Sequence, residues 1–193
     1  QVNNLSDREQ VYTLDGVALT DQVNLDYPGY TFMGETSRAL GASVVFSAEN
    51  GQLPKLYDVN GDGAVDMTDV QVLLDGVNGL EELSETVRRD LDLSGDGILD
   101  TADVQILFEK VSAGFTALDV VKVPANGTAT VHVTVTLTDA DKAYMDEYYE
   151  NGIYVDGFVR LYAQSEDGVD LSLPFMGFYG NWSDSKVFDI GWD

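Results

Sequence analysis

The chain has 193 residues, with 34 aspartates and glutamates against 10 lysines and arginines, a formal net charge of −24. That excess repels phosphate backbones and anionic lipid surfaces, which excludes nucleic acid and acidic membrane as partners. There is no cysteine, so disulfides, thiolate metal sites and a cysteine nucleophile are excluded too. Hydrophobic residues make up 44% of the chain, enough for the core of one large or two small domains. No apolar run reaches the roughly 18 residues that a membrane-spanning helix needs. The chain starts at Gln1, without a methionine or a signal peptide, and reads as a piece of a longer polypeptide.

In chain order, residues 1–50 are β-like, with QVYTL, YTFM and ASVVFSA as strand candidates. GQLPKLY at 51–57 carries Gly and Pro and predicts no helix. Two acidic loops follow, DVNGDGAVDMTD at 58–69 and DLSGDGILDTAD at 92–103, 34 residues apart. A calcium loop of the EF-hand type presents oxygens from positions 1, 3, 5, 7, 9 and 12 and has glycine at position 6. In the first loop these positions are Asp58, Asn60, Asp62, the carbonyl of Ala64, Asp66 and Asp69, with Gly63 at the turn. In the second they are Asp92, Ser94, Asp96, the carbonyl of Ile98, Asp100 and Asp103, with Gly97 at the turn.

Calcium takes six to eight hard oxygens, and alternate residues of a tight loop can converge them. Magnesium fits poorly, because so many protein oxygens would have to displace its tightly held waters. After each loop the apolar residues fall at i, i+3, i+4 and i+7: Val70, Leu73, Leu74 and Val77, then Val104, Leu107, Phe108 and Val111. The pattern predicts an internal duplication of loop and amphipathic helix, holding two Ca2+ ions.

Residues 114–193 read as β. VPANGTAT is a turn, and ATVHVTVTLT alternates with Val131, Val133, Val135 and Leu137 on one face. TDADKAYMDEYYENG predicts a short helix capped by Thr138 and stopped by Gly152, with Tyr144, Met145, Tyr148 and Tyr149 docking it on a sheet. YVDGFVRLYAQ, VDLSLPFMGFYG and KVFDIGW are further strand candidates.

Loop-then-helix duplicates with Asp at position 12 resemble dockerin modules, which bind calcium and dock into cohesin domains. The resemblance covers about residues 51–113. It implies that partner choice rests on loop positions 10 and 11 and on the following helix: here Met67, Thr68 and Leu74 in one half, and Thr101, Ala102 and Phe108 in the other. The basic pair often found in that family at positions 17 and 18 is replaced by Leu74–Asp75 and Phe108–Glu109.

A second resemblance spans residues 1–50 and 114–193. NNLSDREQVYTL, VKVPANGTATVHVTVTL, NGIYVDGFVRLY and LSLPFMGFYGNW with KVFD are similar to the fibronectin type III-like domain of Gram-positive cell-envelope subtilases, the lactocepin-like subtilisin-like serine proteases. The implied fold is mainly β: a discontinuous fibronectin type III-like β-sandwich (1–50 and 114–193) with a small dockerin-like calcium insert (51–113). Insertion requires the guest's ends to lie close together. The alternative is three modules in a row.

A subtilase needs an Asp, a His and a Ser. The single histidine, His132, falls on the solvent face of a regular strand, and GETS at 34–37 is no nucleophile turn. The expectation is a non-catalytic accessory region of a secreted or cell-wall-attached protease, with calcium and either a cohesin-like protein or the catalytic domain of the same chain as partners. Two alternatives stay open: a cohesin-seeking module for extracellular assembly, and carbohydrate binding through Phe175, Phe178, Tyr179, Trp182, Phe188 and Trp192.

Overall fold

The computed structural model describes residues 1–26, 32–165 and 168–181. Its elements in chain order are β1 (Val2–Asn3), β2 (Gln10–Asn24), β3 (Phe32–Ala39), β4 (Ser43–Ala48), α1 (Met67–Val77), α2 (Glu85–Asp90), α3 (Thr101–Ser112), β5 (Val120–Val123), β6 (Thr128–Ala129), β7 (Val131–Thr136), α4 (Asp139–Tyr148), β8 (Ile153–Ala163) and β9 (Leu171–Tyr179). The chain is mainly β with few short helices. KVFDIGW lies outside the described residues.

The chain divides into two compact units: Gln1–Thr13 with Asn50–Thr130, and Leu14–Glu49 with Val131–Asp193. In the first, β1 pairs antiparallel with β6, and Gln10–Thr13 of β2 pairs antiparallel with β5, Gln10 opposite Val123. The segments leading into and out of the helical part lie side by side. Lys55 bridges Asp119 through the backbone, Leu56 N–H donates to Leu118 O and Val120 N–H to Pro54 O, both at 2.9 Å. The Lys55 ammonium meets the Asp119 carboxylate at 2.7 Å across this neck. Beyond it, Val70, Leu73, Leu83, Leu91, Val104 and Leu107 form a small core. Leu73 and Leu107, equivalent in the duplication, are both fully buried.

This partition differs from the one read from the sequence, in which 51–113 stands apart from both flanks. Here residues 1–13 and 114–130 group with the loop–helix segment. Strand pairing accounts for this in part, and so does α2, which the sequence reading did not anticipate. Arg89 on α2 reaches Glu9 at 3.0 Å, and Asp90 accepts from Lys122 at 2.6 Å.

In the second unit, β3, the later part of β2, β8 and β9 make one sheet, and β4 and β7 make a two-stranded ribbon. Ribbon and sheet approach closely at Gly16, where a Cβ would run into the side chains of Val44 and Phe46. The unit's core gathers Ala18, Met145, Ile153 and Val155, flanked by Val135, Leu137, Phe175 and Tyr179. β8 alternates buried and exposed as a half-buried strand must, with Ile153, Val155, Val159 and Leu161 inward.

Helix α4 begins where Thr138 was expected to cap it, in a reciprocal capping box with Asp141. Its Met145 is fully buried, and the hydroxyls of Tyr144 and Tyr149 both donate to Asp21 O. Burial alone would raise the Asp141 carboxyl. The Thr138 hydroxyl, the Gly41 and Thr138 N–H groups and the Arg38 charge outweigh it and hold it below the usual aspartate value.

Candidate metal loops

Both loops make the same backbone turns onto equivalent carboxylates. Asp58 accepts N–H bonds from Gly61 at 2.7 Å and Gly63 at 2.9 Å. Asp92 accepts from Gly95 at 2.9 Å and Gly97 at 2.7 Å. Asp62 accepts from Ala64 at 2.9 Å, and Asp96 from Ile98 at 2.8 Å. The side-chain oxygens of Asn60 and Ser94 accept from Asp62 and Asp96. The turns are feasible because positions 4 and 6 are glycines at positive φ: +75° and +89° at Gly61 and Gly63, +73° and +83° at Gly95 and Gly97.

Positions 9 and 12 have a role that the ligand pattern did not reveal. Asp66 caps α1, its carboxylate accepting the Thr68 N–H at 2.7 Å, and Asp69 returns the bond by accepting the Asp66 N–H at 2.8 Å. Asp100 and Asp103 repeat this at the start of α3, with Ala102 as donor. The sequence signal is an Asp-x-x-Asp capping box before an apolar run, with Asp in place of the usual Glu or Gln. Asp69 and Asp103 are fully buried, and their other oxygen closes the loop. Asp69 Oδ1 accepts from Val59 at 2.8 Å and Asn60 at 3.3 Å, and Asp103 Oδ1 accepts from Ser94 at 2.9 Å.

Burial pushes the Asp103 carboxyl upward, but N–H groups of Asp100, Ser94 and Leu93 and the Ser94 hydroxyl outweigh it and leave it below the usual range. The Thr68 backbone and side-chain donors lower Asp66 in the same way.

Among the described residues, no three acidic or histidine side chains gather as a metal-holding group. The carboxylates turn instead onto backbone N–H groups of their own loops. The donor set still suits calcium by its chemistry. All its members are hard oxygens, and a carboxylate has about four acceptor sites. Each oxygen of Asp58 and Asp92 takes one loop-glycine N–H, and Asp92 Oδ1 also accepts the Ser94 hydroxyl at 3.2 Å, so lone pairs remain for a cation on both Asp58 oxygens and on Asp92 Oδ2.

The residues named for partner choice separate into two sets. Met67, Leu74, Thr101 and Phe108 line one groove of about 420 Å³ between α1 and α3, together with Val70, Gln71, Val104 and Gln105. The lining consists of duplication equivalents: Met67 with Thr101, Val70 with Val104, Gln71 with Gln105, Leu74 with Phe108. Thr68 and Ala102 are exposed but do not line it.

Of the aromatics considered for sugar stacking, Phe175 and Tyr179 pack against the core of the second unit. Phe178 meets the Tyr154 ring edge-on at 5.5 Å. Trp182, Phe188 and Trp192 lie outside the described residues. His132 is exposed on β7 opposite Ser47.

Comparison with known proteins gives a matching family. Residues 82–176 match the Fn3-like domain. The Fn3-like range takes in β5 to β8 and the first part of β9, and reaches back across the second acidic loop and α3. The chain is also similar to the PI-type and PII-type proteinases of Lactococcus lactis subsp. cremoris and to the PII-type proteinase of Lacticaseibacillus paracasei. Each is 33% identical over 69 residues, which is 36% of this chain and 3% of the relative. The chain thus carries an Fn3-like segment related to regions of Gram-positive proteinases. Among the described residues, no helix is long and apolar enough to cross a membrane.

Proposed function

We propose that this chain is a non-catalytic, calcium-binding accessory region of a secreted or cell-wall-associated subtilisin-like serine protease of a Gram-positive bacterium. The observation that carries it is the pair of loops with matching hydrogen bonds, 34 residues apart, in a chain whose Fn3-like segment is related to proteinases. In the first loop Asp58, Asn60, Asp62, the Ala64 carbonyl, Asp66 and Asp69 would hold one ion. In the second, Asp92, Ser94, Asp96, the Ile98 carbonyl, Asp100 and Asp103 would hold another. Bound calcium would supply a staple and no chemistry on a substrate, adding to the closure that Asp69 and Asp103 already give each loop against the helix start that follows it. The loop–helix segment, reminiscent of dockerins, is then a metal-stapled insert that supports or docks the parent enzyme.

A second reading, a cohesin-seeking module, is favoured by the groove that Met67, Leu74, Thr101 and Phe108 share. The accessory role predicts that the chain alone releases no peptides from casein, with or without calcium. Turnover blocked by a serine-protease inhibitor would overturn that role.

A further inference from the structure

The groove between α1 and α3 is lined by apolar side chains, with Gln71, Gln105 and Thr101 as its polar members. Met67 and Phe108 expose 50% and 42% of their surface, far more than a helix face closing a core would leave. Next to them, Gln71 donates to Asp75 Oδ1 at 2.9 Å and Gln105 donates to Glu109 Oε1 at 2.7 Å. These two amide–carboxylate pairs are duplication equivalents, so on each helix an acid stands one hydrogen bond beyond a glutamine that lines the groove. The segment 51–113 has 14 acids against 4 bases, an excess that two bound divalent cations would reduce without reversing.

None of the four bases lines the groove. Lys55 is paired with Asp119, and Arg89 with Glu9 and Asp90. Lys110 lies over the Tyr57 ring, and Arg88 donates to Leu83 O. The surface therefore offers apolar contact and negative charge, with no cation to meet an acidic partner.

We propose that this groove docks a cationic amphipathic polypeptide segment, its apolar side chains between α1 and α3 and lysines or arginines facing Asp75 and Glu109. This deepens the docking role and rests on the loop–helix segment being held folded by its two ions. Helix-in-groove recognition uses this division of labour, with apolar anchors for affinity and flanking charges for register and specificity. A methionine at the contact suits it to segments of varied shape.

The test uses the whole chain at about 1 mM calcium and about 0.15 M ionic strength, where distant charges are screened. The probe is a labelled peptide of about 14 leucines and lysines with leucines at i, i+3, i+4 and i+7; the control is its scrambled isomer. The expected result is that the amphipathic peptide binds about tenfold or more tighter than the scramble. Asp75→Lys with Glu109→Lys should weaken it about tenfold, while Asp7→Lys with Asp156→Lys, the same change in net charge, should leave it within about twofold.

Equal binding of peptide and scramble, or equal loss in the two double variants, would overturn the proposal in favour of bulk attraction to an acidic chain. Calcium uptake by each variant separates the two ideas. Intact uptake without peptide discrimination rejects the groove alone, whereas absent uptake in the unmodified chain rejects the calcium reading itself.

Discussion

Asp69→Ala should destabilise the first unit by about 1–3 kcal/mol even in EGTA, because it strands N–H groups that are partly withdrawn from water, and an N–H left unpaired costs up to roughly that much. Three N–H groups, those of Val59, Asn60 and Asp66, end on that carboxylate, which is fully buried. Asp103→Ala should act the same way, with Ser94 and Asp100 losing their acceptor. The informative contrast is Asp62→Ala. Asp62 is exposed and accepts from Ala64 and from the Asn60 amide in an open turn, so its loss should cost about 0.5 kcal/mol or less without metal. In calcium, both variants should lower stability further by losing an ion. Denaturant midpoints measured with calcium and with EGTA check this. A neutral Asp69→Ala in EGTA would mean that the position-12 carboxylate is no structural hub, and that its burial is explained only by a bound ion.

Chelation should have the second large effect. Binding the folded state alone stabilises it by RT ln(1 + [L]/Kd), about 4 kcal/mol per site at a thousandfold excess over Kd. The core beyond the Lys55–Asp119 neck has six buried apolar residues at its centre, and a core of that size is marginal without a staple. In EGTA the segment should stay folded with its stability reduced, so amides of α1 and α3 should exchange markedly faster than they do in calcium. The second unit, with its own core around Ala18, Met145, Ile153 and Val155, should keep its protection along β8. Hydrogen exchange followed by mass spectrometry reads both at once. Unchanged protection of α1 and α3 would show that the N–H networks hold the loops without any ion.

Much of the local architecture was legible in the sequence, because its signals are local. The 34-residue duplication places α1 and α3, Thr138 and Gly152 bracket α4, and the alternation at 131–137 and 153–161 marks β7 and β8. The unit boundaries were not legible, because they depend on which strands meet. Gln10–Thr13 finds Val120–Val123 more than a hundred residues on, and a single sequence has no local mark of that pairing. Helix α2 is six residues with none buried, too short for an amphipathic period to emerge. At the loops, glycine spacing and alternating acids revealed the turns. They hid the capping role of Asp66, Asp69, Asp100 and Asp103, since a cap and a calcium ligand would call for the same residue type.

The most direct test of two calcium sites is isothermal titration calorimetry of the metal-free chain with calcium at neutral pH. The expected result is uptake near two equivalents, falling to about one in Asp62→Ala as its loop drops out while the other persists. No heat of binding and no uptake into the unmodified chain, with its fold intact by circular dichroism, would contradict it.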